Sequence, residues 1–312
     1  MGALTSTNTG TSTPSTQSAR SVDDGQALMG IATTRTLERV AAALGLLDRA
    51  PLQFHCADDI PNGGVLCALP ALLAIGLLRH TSAHFALPKG FYPMESVFLL
   101  VACLALARVP SVEQLRYQTP GEWGKLLGLD RIPEVRTLRA KLALLGDDAG
   151  RTARWSAQMA RDWMHEDSQA AGVLLVDGHT RVYHGSLTPL PRRYVSRDRL
   201  CLRATSDYWV NALDGAPFFC VTRAIDPGLQ QVIEADILPR LLVDVPAQPS
   251  AAELAAEPLR HRFTLVFDRE GYSPDFFARL KARRIAILSY HKFPSVDWSA
   301  DEFVAQSLSV KV

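Results

Sequence analysis

Short apolar runs that end in one carboxylate occur twice along this chain, as VLLVD at residues 173–177 and as FTLVFD at 263–268. A run of that length, bounded by glycine or turn residues, predicts a buried strand that delivers its acid to a sheet edge. Beyond the first run, residues 181–185, 200–204 and 208–210 read as further strand material, Asp214-Gly215 signals a hairpin, and 218–222 returns as the next strand. Asp226-Pro227 then offers an N-cap with proline in the first helical position, ahead of a helix carrying Leu229, Val232, Ile233, Ile237 and Leu241. A loop over 244–260, rich in Ala and Pro, leads to the second acidic strand. A helix capped at Ser273-Pro274-Asp275 and a last buried strand, RIAILSY at 284–290, follow it.

The first half of the chain has a different period. Leu37, Val40, Leu44 and Leu47 form one face of an amphipathic helix over 33–47, with Thr33 or Thr34 as N-cap. Residues 64–78 and 97–107 are apolar runs that predict buried helices, since both fall short of the ~20 residues needed to span a bilayer. Ile132, Val135, Leu138, Leu142 and Leu145 then share one helical face, with Arg136, Arg139 and Lys141 towards the other. Short helices joined by turns, the last with a basic side, suit a helix-turn-helix reader of DNA and equally suit any small helical bundle. The helix over 153–164 places Trp155, Met159 and Trp163 in register, a stripe that predicts core packing.

The strand order that results is three antiparallel-type strands, a helix, a strand, a helix and a strand. That is the order of the ribonuclease H-like fold, whose first and fourth strands lie side by side, so Asp177 and Asp268 become neighbours. The expected architecture is therefore α/β, a ribonuclease H-like mixed sheet flanked by helices. It comprises a disordered tail over 1–30, a helical region over 31–168 and the sheet domain over 169–312. Paired carboxylates at strand ends suit hard divalent cations, which take oxygen ligands and keep several waters. The plainer alternative is that each aspartate only caps a turn.

Composition narrows this picture little. Hydrophobic residues at 47%, charged residues at 21% and a net charge of +1 describe an ordinary globular chain and name no partner. The five cysteines (56, 67, 103, 201 and 220) show no CxxC pairing and read as small buried hydrophobes. Local charge says more. Arg181, Arg192, Arg193, Arg197, Arg199 and Arg203 are accompanied by one acid, Asp198, and residues 260–292 hold eight Lys or Arg against three acids. Both acidic strand ends thus sit in basic surroundings, as a phosphate backbone requires, although a solvated loop gives the same run of charge. Tyr183, Tyr194, Tyr208 and Trp209 are interleaved and available either for packing or for stacking on bases. His179 alternates to the same strand face as Asp177.

The segments VDGHTRVYHG, LPRRYVSRDRLCLRATSDYWVNALDGAPFF, DPGLQQVIEADILPRL and LVFDREGYSPDFFARLKARRIAILSYHKFP resemble the catalytic domain of DDE transposases from bacterial insertion sequences. PMESVFLLVACLALARV and EQLRYQTPGEWGKLLGLDRIPEVRTLRAKL resemble the N-terminal half of the same group. The resemblance implies a cytoplasmic, nucleoid-associated enzyme that oligomerises on DNA, cuts at element ends, joins them to target DNA and has no membrane partner. It implies Mg²⁺, with Mn²⁺ as a substitute, held by Asp177 as first acid and Asp268 as second. Arg181, Arg192, Arg193, Arg197 and Arg199 would contact nucleic acid. The group's third acid is a glutamate on a helix after the last core strand, and here Asp297, Asp301 and Glu302 are the acids available. A catalytic domain incomplete at its C-terminus is the resulting expectation, with a non-catalytic DNA-binding remnant and a metal-dependent nuclease of the same fold as alternatives.

Overall fold

A computed structural model describes residues 35–185, 188–195, 197–224, 227–291 and 301. The tail over 1–30, the caps expected at Thr33, Thr34 and Asp226, and the acids Asp297 and Glu302 lie outside these residues. The chain forms two compact units, divided between Trp155 and Ser156. That division falls within one long helix, Ala149–Glu166.

The first unit is helical: α1 (Thr36–Ala43), α2 (Leu69–Ala74), α3 (Thr81–His84), α4 (Met94–Leu106), α5 (Pro120–Leu126), α6 (Val135–Leu145) and the start of α7 (Ala149–Glu166). Helix α4 is its centre, with Val97, Leu100, Cys103 and Leu104 buried against Trp123, Ile132 and Leu138. Leu138 and Leu145 are buried as their spacing predicts, while Lys141 is half-buried, and burial lowers its ammonium pKa. Two expectations fail here. The apolar run 64–78 is not one buried helix: a 3-10 turn (Gly63–Cys67) and the short α2 replace it, with Leu66, Leu73 and Ile75 exposed. Pro70 starts α2, and Gly76 at φ 98 ends the segment, so neither side can propagate.

Helix α1 likewise exposes Leu37, Val40 and Leu44 instead of burying them. Its polar face is the anchored one. Arg39 makes a bidentate ion pair with Asp130 (2.6 and 2.7 Å) and lies 4.0 Å over the Phe91 ring. The charge-assisted pair and the stacked ring fix the helix by its polar face.

The second unit carries a six-stranded sheet of β1 (Val173–Val182), β2 (Arg192–Val195), β3 (Leu200–Ala212), β4 (Pro217–Arg223), β5 (Thr264–Phe267) and β6 (Ala286–Ser289). The strand order β2-β3-β1-β5-β6, with β4 also on β3, is antiparallel across β1, β3 and β4 and parallel across β1, β5 and β6. This is the ribonuclease H-like arrangement expected, with the first and fourth core strands adjacent. Two expected strands, 200–204 and 208–210, are one continuous β3, and 181–182 only prolongs β1. The basic stretch around Arg192 is a strand, β2, which the sequence reading missed.

Residues at alternate positions divide the sheet into two faces. Leu174, Val176, Tyr208, Val210, Ala212, Leu265 and Phe267 bury one face. Helices α8 (Leu229–Val232), α9 (Leu238–Asp244) and α11 (Pro274–Ala282) supply Val232, Leu241, Phe276 and Leu280 to the same core; α10 (Ala251–Ala256) adds a capping box at Ser250. A π turn, Ile233–Ile237, joins α8 to α9. Pro239 lacks an N–H, so the α-helical ladder cannot close through it and the turn widens. Buried Asp244 accepts hydrogen bonds from Arg161 and Arg240, and Arg240 lies 3.6 Å over the Phe219 ring.

Three of the cysteines expected to be buried are exposed: Cys56 in an irregular connection, Cys67 at the end of the 3-10 turn Gly63–Cys67, and Cys201 on the β2–β3 hairpin. No helix among the described residues is long and apolar enough to cross a membrane.

Gly124 on α5 gives the sharpest stability test. A Cβ there would lie 2.7 Å from the Arg131 Cα and N and 2.8 Å from the Leu129 carbonyl oxygen. Alanine gains about 1 kcal/mol of helix propensity. The clash is with backbone on all three contacts, which yields far less readily than a side chain. Gly124→Ala should therefore lower the free energy of unfolding by about 1–3 kcal/mol and move the denaturation midpoint down; an unchanged or raised midpoint would refute the close approach.

Candidate functional site

The parallel register of β1 and β5 builds the site. Leu175 pairs with Val266 and Val176 with Phe267, so the next residues, Asp177 and Asp268, stand side by side at the edge. Both are exposed. Asp268 ends its strand by capping a 3-10 turn (Arg269–Gly271), its Oδ1 accepting the Glu270 N–H at 2.9 Å. The capping alternative is thus realised for one oxygen of one aspartate. Below the turn, the Phe267 ring occupies the space a side chain on Gly271 would take. Ser289, at the end of β6, donates to the Asp268 carbonyl at 3.1 Å and holds the backbone there.

The pleat places Asp177, His179 and Arg181 on one face of β1. Register puts Trp209, Asp207 and Thr205 opposite them on β3. Asp207 is the residue the sequence reading missed. It is buried, accepts the Thr222 hydroxyl at 2.7 Å, and its Oδ2 lies 2.5 Å from Arg181 Nη2, an ion pair without hydrogen-bond alignment. Arg181 itself stays 66% exposed, so a buried carboxylate anchors a guanidinium that still faces solvent. The signal was a lone acid inside RATSDYWV, an otherwise acid-free strand. On β4, opposite Trp209, Cys220 has its thiol pKa pushed up by burial and then by the Asp207 charge.

The arginines separate by face. Arg192 pairs across β2–β3 with Arg203, and both share the face of Asp177 and Arg181. Like charges set directly opposite in a sheet are destabilising. Arg193 points the other way: it is half-buried and donates to Ser206 Oγ and to Thr180 Oγ1. Arg197 and Arg199 are exposed in the turn between β2 and β3, with Arg199 at φ 53. Of the aromatic residues, Tyr208 is in the core, whereas Tyr194 and Trp209 are exposed on the carboxylate face. Tyr183 accepts the Thr188 N–H at 3.1 Å.

The donor chemistry fits a hard cation: two exposed carboxylates, adjacent, with no thiolate at the edge. Among the described residues no group of three or more His, Cys, Asp or Glu gathers in metal-binding proximity. Asp301, the described member of the three late acids, is exposed.

The mixed sheet thus carries the two carboxylates at its edge and Arg181, Arg192 and Arg203 on the same face. Residues 30–311 match the family described as transposase protein, and the chain belongs to that family. No curated protein matches it. Similar solved structures include the Mos1 transposase paired-end complex with left transposon end, at 10% identity and TM-score 0.23 over 62% of this chain and 57% of that one. Another is a pre-cleavage Mos1 transpososome, at 10% identity and TM-score 0.25 over 62% of this chain and 58% of that one. The chain therefore spans less than two thirds of the length of those relatives, and the fold rests on its own strand order.

The opposed Arg192 and Arg203 give a test independent of any ligand. Arg192→Glu replaces repulsion by a cross-strand ion pair and should raise stability by about 0.2–1 kcal/mol, more at low salt. A lower melting temperature in low salt would show that the two guanidiniums do not oppose each other.

Proposed function

We propose that this chain is a DDE-type transposase of an insertion sequence, cutting DNA at element ends and joining those ends to target DNA. The observation that carries the proposal is the parallel pairing Val176–Phe267, which sets Asp177 beside Asp268 on the face that also bears Arg181, Arg203 and Arg192. Asp177 and Asp268 are the residues that would hold Mg²⁺, or Mn²⁺ in its place. A bound divalent cation supplies Lewis-acid stabilisation of the phosphodiester oxygens and lowers the pKa of water. Arg181, Arg192, Arg197, Arg199 and Arg203 draw the phosphate backbone onto the face, Arg181 from a position held by Asp207. Arg193 supports the arm from behind.

In the first step a water oxygen attacks phosphorus and the 3′ oxygen leaves with a proton. This yields a 3′-hydroxyl and a 5′-phosphate. In the second, that 3′-hydroxyl attacks a target phosphodiester, losing its proton as the displaced 3′ oxygen gains one. Neither step consumes an oxidant or a nucleotide.

The alternative reading is a DNA-binding transposase remnant without strand-transfer activity. The two separate cleanly in a supercoiled-plasmid nicking assay with parallel binding measurements. For the enzyme, nicking requires Mg²⁺ or Mn²⁺, stops in EDTA, and falls at least about a hundredfold in Asp177→Asn and in Asp268→Asn. Glu302→Gln and Asp297→Asn, assayed alongside, test whether either supplies the third acid. Arg192→Glu should weaken DNA binding while it stabilises the fold. Binding that persists in EDTA with no nicking under any metal would establish the remnant, and full nicking by Asp177→Asn would overturn the site.

A further inference from the structure

Helix α1 turns its polar side inward and its apolar side outward. Arg35, Glu38, Arg39 and Ala42, spaced three, one and three apart, share the face that meets the rest of the helical unit. Arg35 donates to the Pro51 carbonyl at 2.6 Å and to Glu38 at 3.3 Å, Arg39 grips Asp130, and Ala42 packs against the core. Leu37, Val40 and Leu44 lie on the opposite side, where they are 83%, 53% and 67% exposed. Single exposed leucines are ordinary, but three in register make a stripe that a second segment can cover.

The chain that enters α1 matches this stripe. Residues 5–18 consist of Ser, Thr, Asn, Gln, Gly and Pro alone, whereas residues 27–32 read ALMGIA. Only Thr33 and Thr34 separate that apolar segment from Arg35. From Leu37 to Leu44 the helix rises about 10 Å. An extended chain covers about 13 Å in four steps and sends alternate side chains to one side. Ala27, Met29 and Ile31 therefore match the length of the stripe if the chain doubles back at Thr33-Thr34. The two-residue tether gives the segment a high effective concentration there, which a second copy of the chain would match only by self-association.

Arg35 is an independent sign. It is 6% exposed, and its Nη1 is buried with no hydrogen-bond partner among the described residues. A buried guanidinium donor without an acceptor is costly. A backbone carbonyl of the doubled-back chain, which starts at this residue, would satisfy it.

We infer that residues 27–32 dock along the outer face of α1, with Met29 and Ile31 set against Leu37, Val40 and Leu44. The occupant of the stripe is thus this chain's own segment, and the tail shortens to the residues before Ala27. The inference does not rest on the transposase reading and requires neither DNA nor metal.

The test is hydrogen exchange of the full chain, read by mass spectrometry at two protein concentrations about a hundredfold apart. Relative to intrinsic rates, the amides of residues 28–32 should exchange at least about tenfold more slowly than those of residues 5–13, and equally so at both concentrations. Leu37→Asp and Ile31→Asp should each abolish that protection, and Ile31→Asp should also speed exchange across α1. Leu4→Asp, in the polar tail, should change neither. Leu37 faces outward, and a circular dichroism melt that overlays the parent's shows the variant folded; should it melt early, Met29→Asp/Ile31→Asp carries the test from the other side of the contact.

Residues 28–32 exchanging as fast as residues 5–13 would overturn the inference. Protection that persists in folded Leu37→Asp would overturn it too, because the segment then docks elsewhere. Slow exchange confined to α1 and growing with concentration would assign the stripe to a second copy of the chain, and that result also overturns the proposal.

Discussion

Parallel hydrogen bonding between β1 and β5 is the constraint on which the site depends. It joins segments distant in sequence through four register pairs, Val173–Thr264 to Val176–Phe267, and buries Leu174 and Leu265 completely. A slip of one residue would bury the aspartates' face and expose the apolar one, so the core itself protects the register. The carboxylates need no mutual attraction to meet. They are carried to the edge by strands whose pairing is stabilised below them, against the repulsion that two like charges exert when no cation lies between them.

The same logic explains the guanidiniums. Arg192 and Arg203 oppose each other on a sheet hairpin, and Arg181 is tied to a buried carboxylate. Each arrangement costs stability or conformational freedom. Where an arginine serves the fold instead, its partners say so: Arg193 reaches inward to Thr180 and Ser206, Arg39 grips Asp130, and Arg240 stacks on Phe219. Position in a basic run does not distinguish these roles. Partnering does.

In the helical unit the balance differs. Short helices interrupted by Pro70 and Gly76 cannot bury long stripes, and polar anchors take over work that an apolar face would do in a longer helix. The result leaves apolar side chains of α1 outside and an arginine groove at the start of α6. There Glu113 and Glu134 pair with Arg116, Arg131 and Arg139, three of the four arginines that line it.

What the sequence by itself determined is local: the acidic ends of the strands, the hairpin at Asp214-Gly215, the cap at Ser273, the helical period through Leu138 and Leu145. These follow from propensity and alternation within a few residues. The order of elements was enough to expect the α/β sheet and the adjacency of Asp177 and Asp268. Tertiary structure alone decided which face each residue takes. Tyr208 is core and Trp209 is surface, Arg193 is inward and Arg192 outward, and Asp207 becomes a buried anchor, because a period of two has no sign until the neighbouring strand's register supplies one. β2 was illegible for the same reason: four residues with two arginines carry no strand signal of their own, and they become a strand only by pairing with β3.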